Sequence, residues 1–250
     1  MVPTSGRGGG PQDEWQGQLH EWQPGLAEKR RPVPGRDLAR SLSLAALSFQ
    51  PSLEPLLKLY YRPVACSLSP HIALEEAGLK YEAISAPTKT KQLPDGSDFR
   101  QVNPLGYVPY LVLDDGTGLS EGPAIVQYIA DQAPAKKLAP ANGTLARYQL
   151  QSLLNFIGTE LHKNFGPLFD PGMPAEAKER FKAKLADRLQ HVDGLLAGKT
   201  WLMGDDFTVA DGYLFTVTNW AQPMQIDLSP YQNLTAYRQR PLVVCLPETE

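Results

Sequence analysis

Between Leu57 and Pro134 the chain alternates strand-length and helix-length apolar segments, and after Pro134 the strand pattern stops. LKLYY (Leu57–Tyr61) reads as a strand. Ser67–Ala77 reads as a helix, with Ser67 as candidate N-cap and Gly78 just past its end. KYEAISA (Lys80–Ala86) is a second strand, and a loop with a short helix leads to NPLGYVP (Asn103–Pro109). YLVL (Tyr110–Leu113) is a third strand, followed by DDGTG (Asp114–Gly118), whose Asp-Gly content predicts a hairpin turn. Ser120 then precedes a helix running to about Asp131. The order β-α-β-(α)-β-β-α predicts a small α/β domain over 57–134, with helices packed on a mixed sheet.

Residues 135–142 (AKKLAPAN) read as a linker. Beyond it, helical periodicities run through Leu145–Phe165, Ala175–Leu196 and Phe207–Trp220, so 143–241 is expected to be all-helical. Thr208 lies three residues before Asp211, a variant of the capping box, with Phe207 at the staple position. No internal repeat is apparent.

Residues 1–56 contain GRGGGP, QPG and RRPVPGR, where Gly and Pro break any period; they read as a disordered or artefactual extension. A short Arg-flanked amphipathic helix over Asp37–Ser48 would suit a mitochondrial presequence, but Asp13, Glu14, Glu21 and Glu28 argue against one. The apolar run Leu42–Phe49 is far short of a membrane span. A net charge of −3 gives no reason to expect nucleic acid. Two cysteines, Cys66 and Cys245, make no disulfide framework, which favours a reducing, cytoplasmic setting. His20, His71, His162 and His191 form no metal-ligand spacing with them, so no metal is expected.

Cys66 sits where the first strand gives way to a helix. Unsatisfied N–H groups and the positive end of the dipole favour a thiolate there, predicting a pKa below the ~8.5 of a free thiol. The plain alternative is a small buried hydrophobe. Cys66-Ser67-Leu68-Ser69 is C-x-x-S, so a dithiol cycle cannot run on Cys66 alone. Asn155, Thr159 and His162, with Lys163 beside them, share one helical stripe, opposite Leu150, Leu153, Leu154, Ile157 and Leu161 as core.

The stretches LKLYYRPVACSLSPH, NPLGYVPYLVLDDG, SEGPAIVQYIAD, LNFIGTELHKNFGPLF and FTVAD together resemble the cytosolic glutathione transferases, and within them the bacterial beta class. The similarity runs from about Leu57 to Pro241. It implies an N-terminal thioredoxin-like α/β domain followed by an all-α helical-bundle domain. It implies glutathione as cosubstrate with no prosthetic group, small hydrophobic electrophiles as second substrates, and a homodimer. On this resemblance Cys66 faces the glutathione sulfur with His162 near it as catalytic partner. Val108-Pro109 matches a cis-proline turn that pairs with the peptide ligand. Glu121 and Gly122 match the positions that grip the γ-glutamyl end, and Lys91 matches a lysine reaching the glycyl carboxylate. Asn155, Thr159 and Lys163 match contacts from the helical domain, and Tyr61 an active-site-side residue. Tyr60 points the other way by strand alternation. Two enzymatic readings follow, conjugation of glutathione to electrophiles and glutaredoxin-like thiol-disulfide exchange, with a non-catalytic carrier of hydrophobic ligands as a third. The chain departs from the family's pattern in carrying Leu57 where an initiator Met is usual. Its tail, 242–250, reads as atypical and truncated, without the further helix.

Overall fold

The computed structural model describes residues 56–242. The helix read at Asp37–Ser48, the rest of the extension before residue 56, Cys245 and the tail beyond Leu242 lie outside the described residues. Four strands form one sheet in the order β2-β1-β3-β4, namely β1 (Leu57–Tyr61), β2 (Tyr81–Ser85), β3 (Tyr110–Val112) and β4 (Gly118–Leu119). β1 pairs parallel with β2, Leu59 opposite Ala83, and antiparallel with β3, Leu59 opposite Leu111. Parallel pairing demands a crossover, and α1 (Leu68–Ala77) supplies it. Gly78 ends α1 in the left-handed conformation, φ +67°, with its N–H on the Glu75 and Leu74 carbonyls.

Strand alternation sends β1 side chains to two cores. Leu57 and Leu59 join Leu74 of α1, Leu111 of β3 and Ile125 and Ile129 of α2 (Gly122–Gln132). Burying each of the larger aliphatic side chains contributes roughly 2 kcal/mol. Tyr60 goes to the opposite face, where it stacks on Phe99 at 5.2 Å between centroids.

The sheet domain is followed by helices, as the patterns predict. α3 (Leu145–Phe156) continues without a break through a π-helical turn, Ile157–His162, into the short α4 (Lys163–Phe165). The sequence reads as one regular helix here; the structure inserts a wider turn, in which the Lys163 N–H reaches the Gly158 carbonyl five residues back. Leu150, Leu154, Ile157 and Leu161 face the core, whereas Leu153 is only half-buried. α5 (Ala175–Leu196) packs on α7 (Gln232–Arg238), and α6 (Val209–Thr218), lying against α1, α3 and the π turn, is buried nearly all round. Both arms of the capping box form: Thr208 at the N-cap and Asp211 at N3 exchange hydrogen bonds. The staple does not take its usual form, since N4 is Gly212 and Phe207 packs edge-on against Trp201 instead, 5.2 Å between centroids. A Cβ on Gly212 would stand 3.2 Å from Ile72 Cγ2, so glycine allows α6 to lie close against α1.

The expected linker is held against the helical domain at Leu138 and Pro140. Arg147 of α3, 3% exposed, grips both Asp131 carboxylate oxygens of α2 at 2.8 Å and also donates to the Pro140 carbonyl. The Val209 N–H donates to the Leu138 carbonyl at 2.9 Å. Among the described residues no helix is long and apolar enough to cross a membrane.

Candidate active site

Two walls enclose a cavity of about 450 Å³. The sheet domain contributes Cys66, Tyr107, Val108, Pro109, Glu121, Gly122 and Pro123. The helical domain contributes Leu154, Asn155, Gly158, Thr159 and His162 from α3 and its π turn, Lys163 from the start of α4, and Tyr213 from α6.

Ser67 precedes α1, but its side chain does not cap the helix. Its hydroxyl instead accepts from the Arg62 N–H and donates to the Arg62 carbonyl, both at 3.1 Å, folding the chain tightly between β1 and α1. Val64 in this turn has φ +61°, a strained conformation for a β-branched residue, and its carbonyl accepts from Trp220 Nε1 at 2.9 Å. The turn delivers the Cys66 thiol to the Val108 carbonyl, to which it donates at 3.3 Å. The Val108–Pro109 bond is cis. The Val108 N–H has no partner among the described residues, and its carbonyl keeps a second lone pair.

The electrostatics of the thiol overturn the sequence expectation. Burial pushes Cys66 up to about 11; the N–H groups of Cys66 and Ser67 pull it down, and Glu121 adds to the rise. Desolvation disfavours the anion more than the helix start favours it. A carbonyl acceptor also rewards the protonated form.

Glu121 opens α2 at φ +67° with its carboxylate exposed and unused in capping the helix. Pro123 lacks an N–H, so the Gly122 N–H is the donor left at this helix start. Carboxylate and N–H thus lie side by side on the cavity wall, suited to a ligand bearing an ammonium and a carboxylate.

On the facing wall His162 Nδ1 lies 2.7 Å from the Tyr213 hydroxyl, and its ring meets Trp220 at 4.9 Å between centroids. Burial, with help from the Lys163 charge, lowers the His162 pKa to about 4, so the imidazole is neutral at pH 7. A neutral His162 offers Cys66 no positive charge to favour a thiolate.

Two residues expected at the site do not line this cavity. Tyr61 does not line the cavity; its ring meets His71 of α1 edge-on at 5.9 Å. Lys91, at φ +59°, turns its ammonium onto the Gly106 carbonyl, one residue from the lining Tyr107, and leaves the cavity wall to others. Tyr107, Pro123, Gly158 and Tyr213 join the lining without having been singled out. For Tyr213 the only available signal is a hydroxyl in an apolar helix, since a buried tyrosine needs a partner. Among the described residues no group of His, Cys, Asp and Glu is disposed to hold a metal.

Comparison with known proteins matches this two-part architecture. The family description "Glutathione S-transferase, N-terminal domain" covers residues 65–132, and "Glutathione S-transferase, C-terminal domain" covers 156–242. Glutathione S-transferase GstA of Escherichia coli O157:H7 is 45% identical over 184 residues, 74% of this chain and 92% of the relative. The solved ternary complex of BphK, a bacterial GST, is 54% identical at a TM-score of 0.71, covering 72% of this chain and 90% of that one. A sphingomonad glutathione S-transferase complexed with glutathione is 46% identical, also at 0.71, covering 74% and 94%. A thioredoxin-like domain followed by a helical domain is thus the arrangement of a known class of enzymes. The chain belongs to the glutathione S-transferase family, with structural relatives in its bacterial beta class.

Proposed function

We propose that this protein conjugates glutathione to small apolar electrophiles. The observation that carries the reading is the pairing of walls around one cavity. The unpartnered Val108 N–H and the Glu121–Gly122 helix start suit a γ-glutamyl peptide, and His162 lies opposite with Asn155, Thr159 and Lys163. The sphingomonad relative's bound glutathione supports this assignment. In the reaction the glutathione thiol loses its proton to solvent, its sulfur attacks an electrophilic carbon, and the leaving group departs with its electron pair as the C–S bond forms. Holding the two reactants together supplies the rate. Lys91 reaching the glycyl carboxylate would require its ammonium to leave Gly106.

The protonated Cys66 favours conjugation over thiol-disulfide exchange, because the nucleophile is then the ligand's own sulfur. A purified sample is expected to turn over a generic aromatic halide, and Cys66→Ala to lower that kcat/KM by less than tenfold. Turnover of a glutathione mixed disulfide, abolished by Cys66→Ala and unaccompanied by halide turnover, would reverse the assignment. Tight binding of apolar ligands with neither activity would favour a carrier.

The same reading makes the protein a cytoplasmic homodimer, closed two-fold dimers being the commonest oligomer. It places glutathione binding in 57–134 and the electrophile between that domain and 143–241, with 1–56 dispensable. A chain starting at Leu57 with an added Met is expected to match the full chain in glutathione affinity and melting temperature; a clear drop in either refutes dispensability.

A further inference from the structure

Tyr213 stands on α6 among apolar neighbours and is 4% exposed. Among the described residues its hydroxyl has one hydrogen-bond partner, His162 Nδ1 at 2.7 Å. The rings meet edge-on at 78°, with centroids 5.9 Å apart. A contact this short holds one proton between the two atoms, and the question is which atom owns it. With the proton on Nδ1, the phenol oxygen would accept, and its own O–H would lack a protein acceptor at a nearly buried position. With the proton on the phenol, the O–H donates into the Nδ1 lone pair and both groups are satisfied. Burial, then the charges of Cys66 and Glu121, hold the phenol pKa well above its usual value, so a phenolate does not enter. A neutral imidazole owns a single proton, which the donating phenol leaves on Nε2. Nε2 has no partner among the described residues, and the ring lines the cavity.

We propose that Tyr213 is a positioning residue for His162: its hydroxyl donates to Nδ1 and fixes the imidazole proton on Nε2, so that His162 offers the cavity a hydrogen-bond donor rather than a base. Identifying the recipient as the glutathione sulfur rests on the proposed function; the tautomer does not. A donor at Nε2 stabilises a sulfur anion as it forms and cannot take the thiol proton on that nitrogen. Trp220, edge-on to the same ring at 66°, limits its tilt.

The test is two-bond ¹H–¹⁵N correlation at pH 7 on the full chain labelled with ¹⁵N-histidine, His162 being assigned by its disappearance in His162→Gln. The expected spectrum has an unprotonated Nδ1 and a protonated Nε2. Tyr213→Phe keeps the ring and removes the donor; it is expected to move both nitrogens toward the averaged positions of exchanging tautomers. It should also lower kcat for conjugation roughly tenfold, with KM for glutathione changed less than twofold. A proton on Nδ1 in the unsubstituted protein overturns the proposal, as does a Tyr213→Phe spectrum identical to the parent's. Relaxed tautomers with an unchanged kcat also overturn it. If Tyr213→Phe fails to fold, the parent spectrum alone still decides between the tautomers. These spectra do not depend on turnover, so a protein that fails to conjugate sinks the functional reading and leaves the tautomer to be judged separately.

Discussion

At pH 7.5 Cys66 is expected to react with iodoacetamide roughly a hundredfold more slowly than an unperturbed cysteine, the rate then climbing about tenfold per pH unit. The climb should level off only near pH 11, where burial places the thiol. Forces of both signs act on this sulfur. The N–H groups of Cys66 and Ser67 do favour the anion, as a helix start should. Desolvation outweighs them, and Glu121 repels a second negative charge. The two cations that would have tipped the balance are absent: the Lys91 ammonium sits on the Gly106 carbonyl, and His162 is neutral. The measurement belongs in a Cys245→Ser background, so that one thiol is followed. A profile levelling off below pH 8.5 would mean that the helix start prevails over burial, and would revive the exchange reading.

That reversal marks where sequence stops being informative. The sheet and its crossover were legible because LKLYY alternates, Gly78 supplies a left-handed stop, and DDGTG can only turn. Most of the cavity was legible for another reason: Val108-Pro109, Glu121-Gly122 and the Asn155–Lys163 stripe match glutathione transferase motifs, whereas local patterning alone gives an ordinary proline, a helix-start acid and a solvent-facing stripe. The thiol pKa has no such local cause. It depends on how deeply Val108, 42 positions away, and the facing helices enclose Cys66. Tyr61 was expected at the site by resemblance alone; no residue pattern showed that its ring would meet His71 rather than line the cavity. Lys91 has a stem long enough to reach several acceptors, and spacing does not choose among them. The π turn carries Gly158, but a single Gly inside a helical pattern is tolerated, and the apolar period there resembles an ordinary helix. Tyr213, flanked by Gly212 and Leu214, reads as core.

Asp211→Ala is expected to remove about 3–5 kcal/mol of folding stability, a large share of the ~5–15 kcal/mol typical of a domain. Asp211 is fully buried. Oδ1 accepts from the Leu202 N–H at 2.8 Å, and Oδ2 from the Thr208 N–H and hydroxyl, each at 2.9 Å. Truncation orphans the Thr208 N–H at the N-cap of α6, which packs against α1, and the Leu202 N–H in the turn before it; each orphan costs about 1–3 kcal/mol. Asp211→Asn keeps the shape but turns one acceptor into a donor, so its loss should be about half as large. The same residue sets a pH signature. Burial raises the Asp211 pKa to about 6, against ~3.9 unfolded, so its contribution is fully present below pH ~4 and is lost as pH rises through about 6. His162 runs the other way: lowered to about 4 from ~6.5, it contributes stability above pH ~6.5 that is lost as pH falls toward 4. Each shift is worth about 3 kcal/mol over its window, and the two nearly offset. Urea unfolding at pH 7 and pH 5 separates them. The unsubstituted protein should change little through these two groups, whereas Asp211→Asn should be less stable at pH 5 than at pH 7, His162 then acting alone. A loss under 1 kcal/mol in Asp211→Ala would show that the Leu202 and Thr208 donors find other acceptors, and that the box does not hold α6 in place.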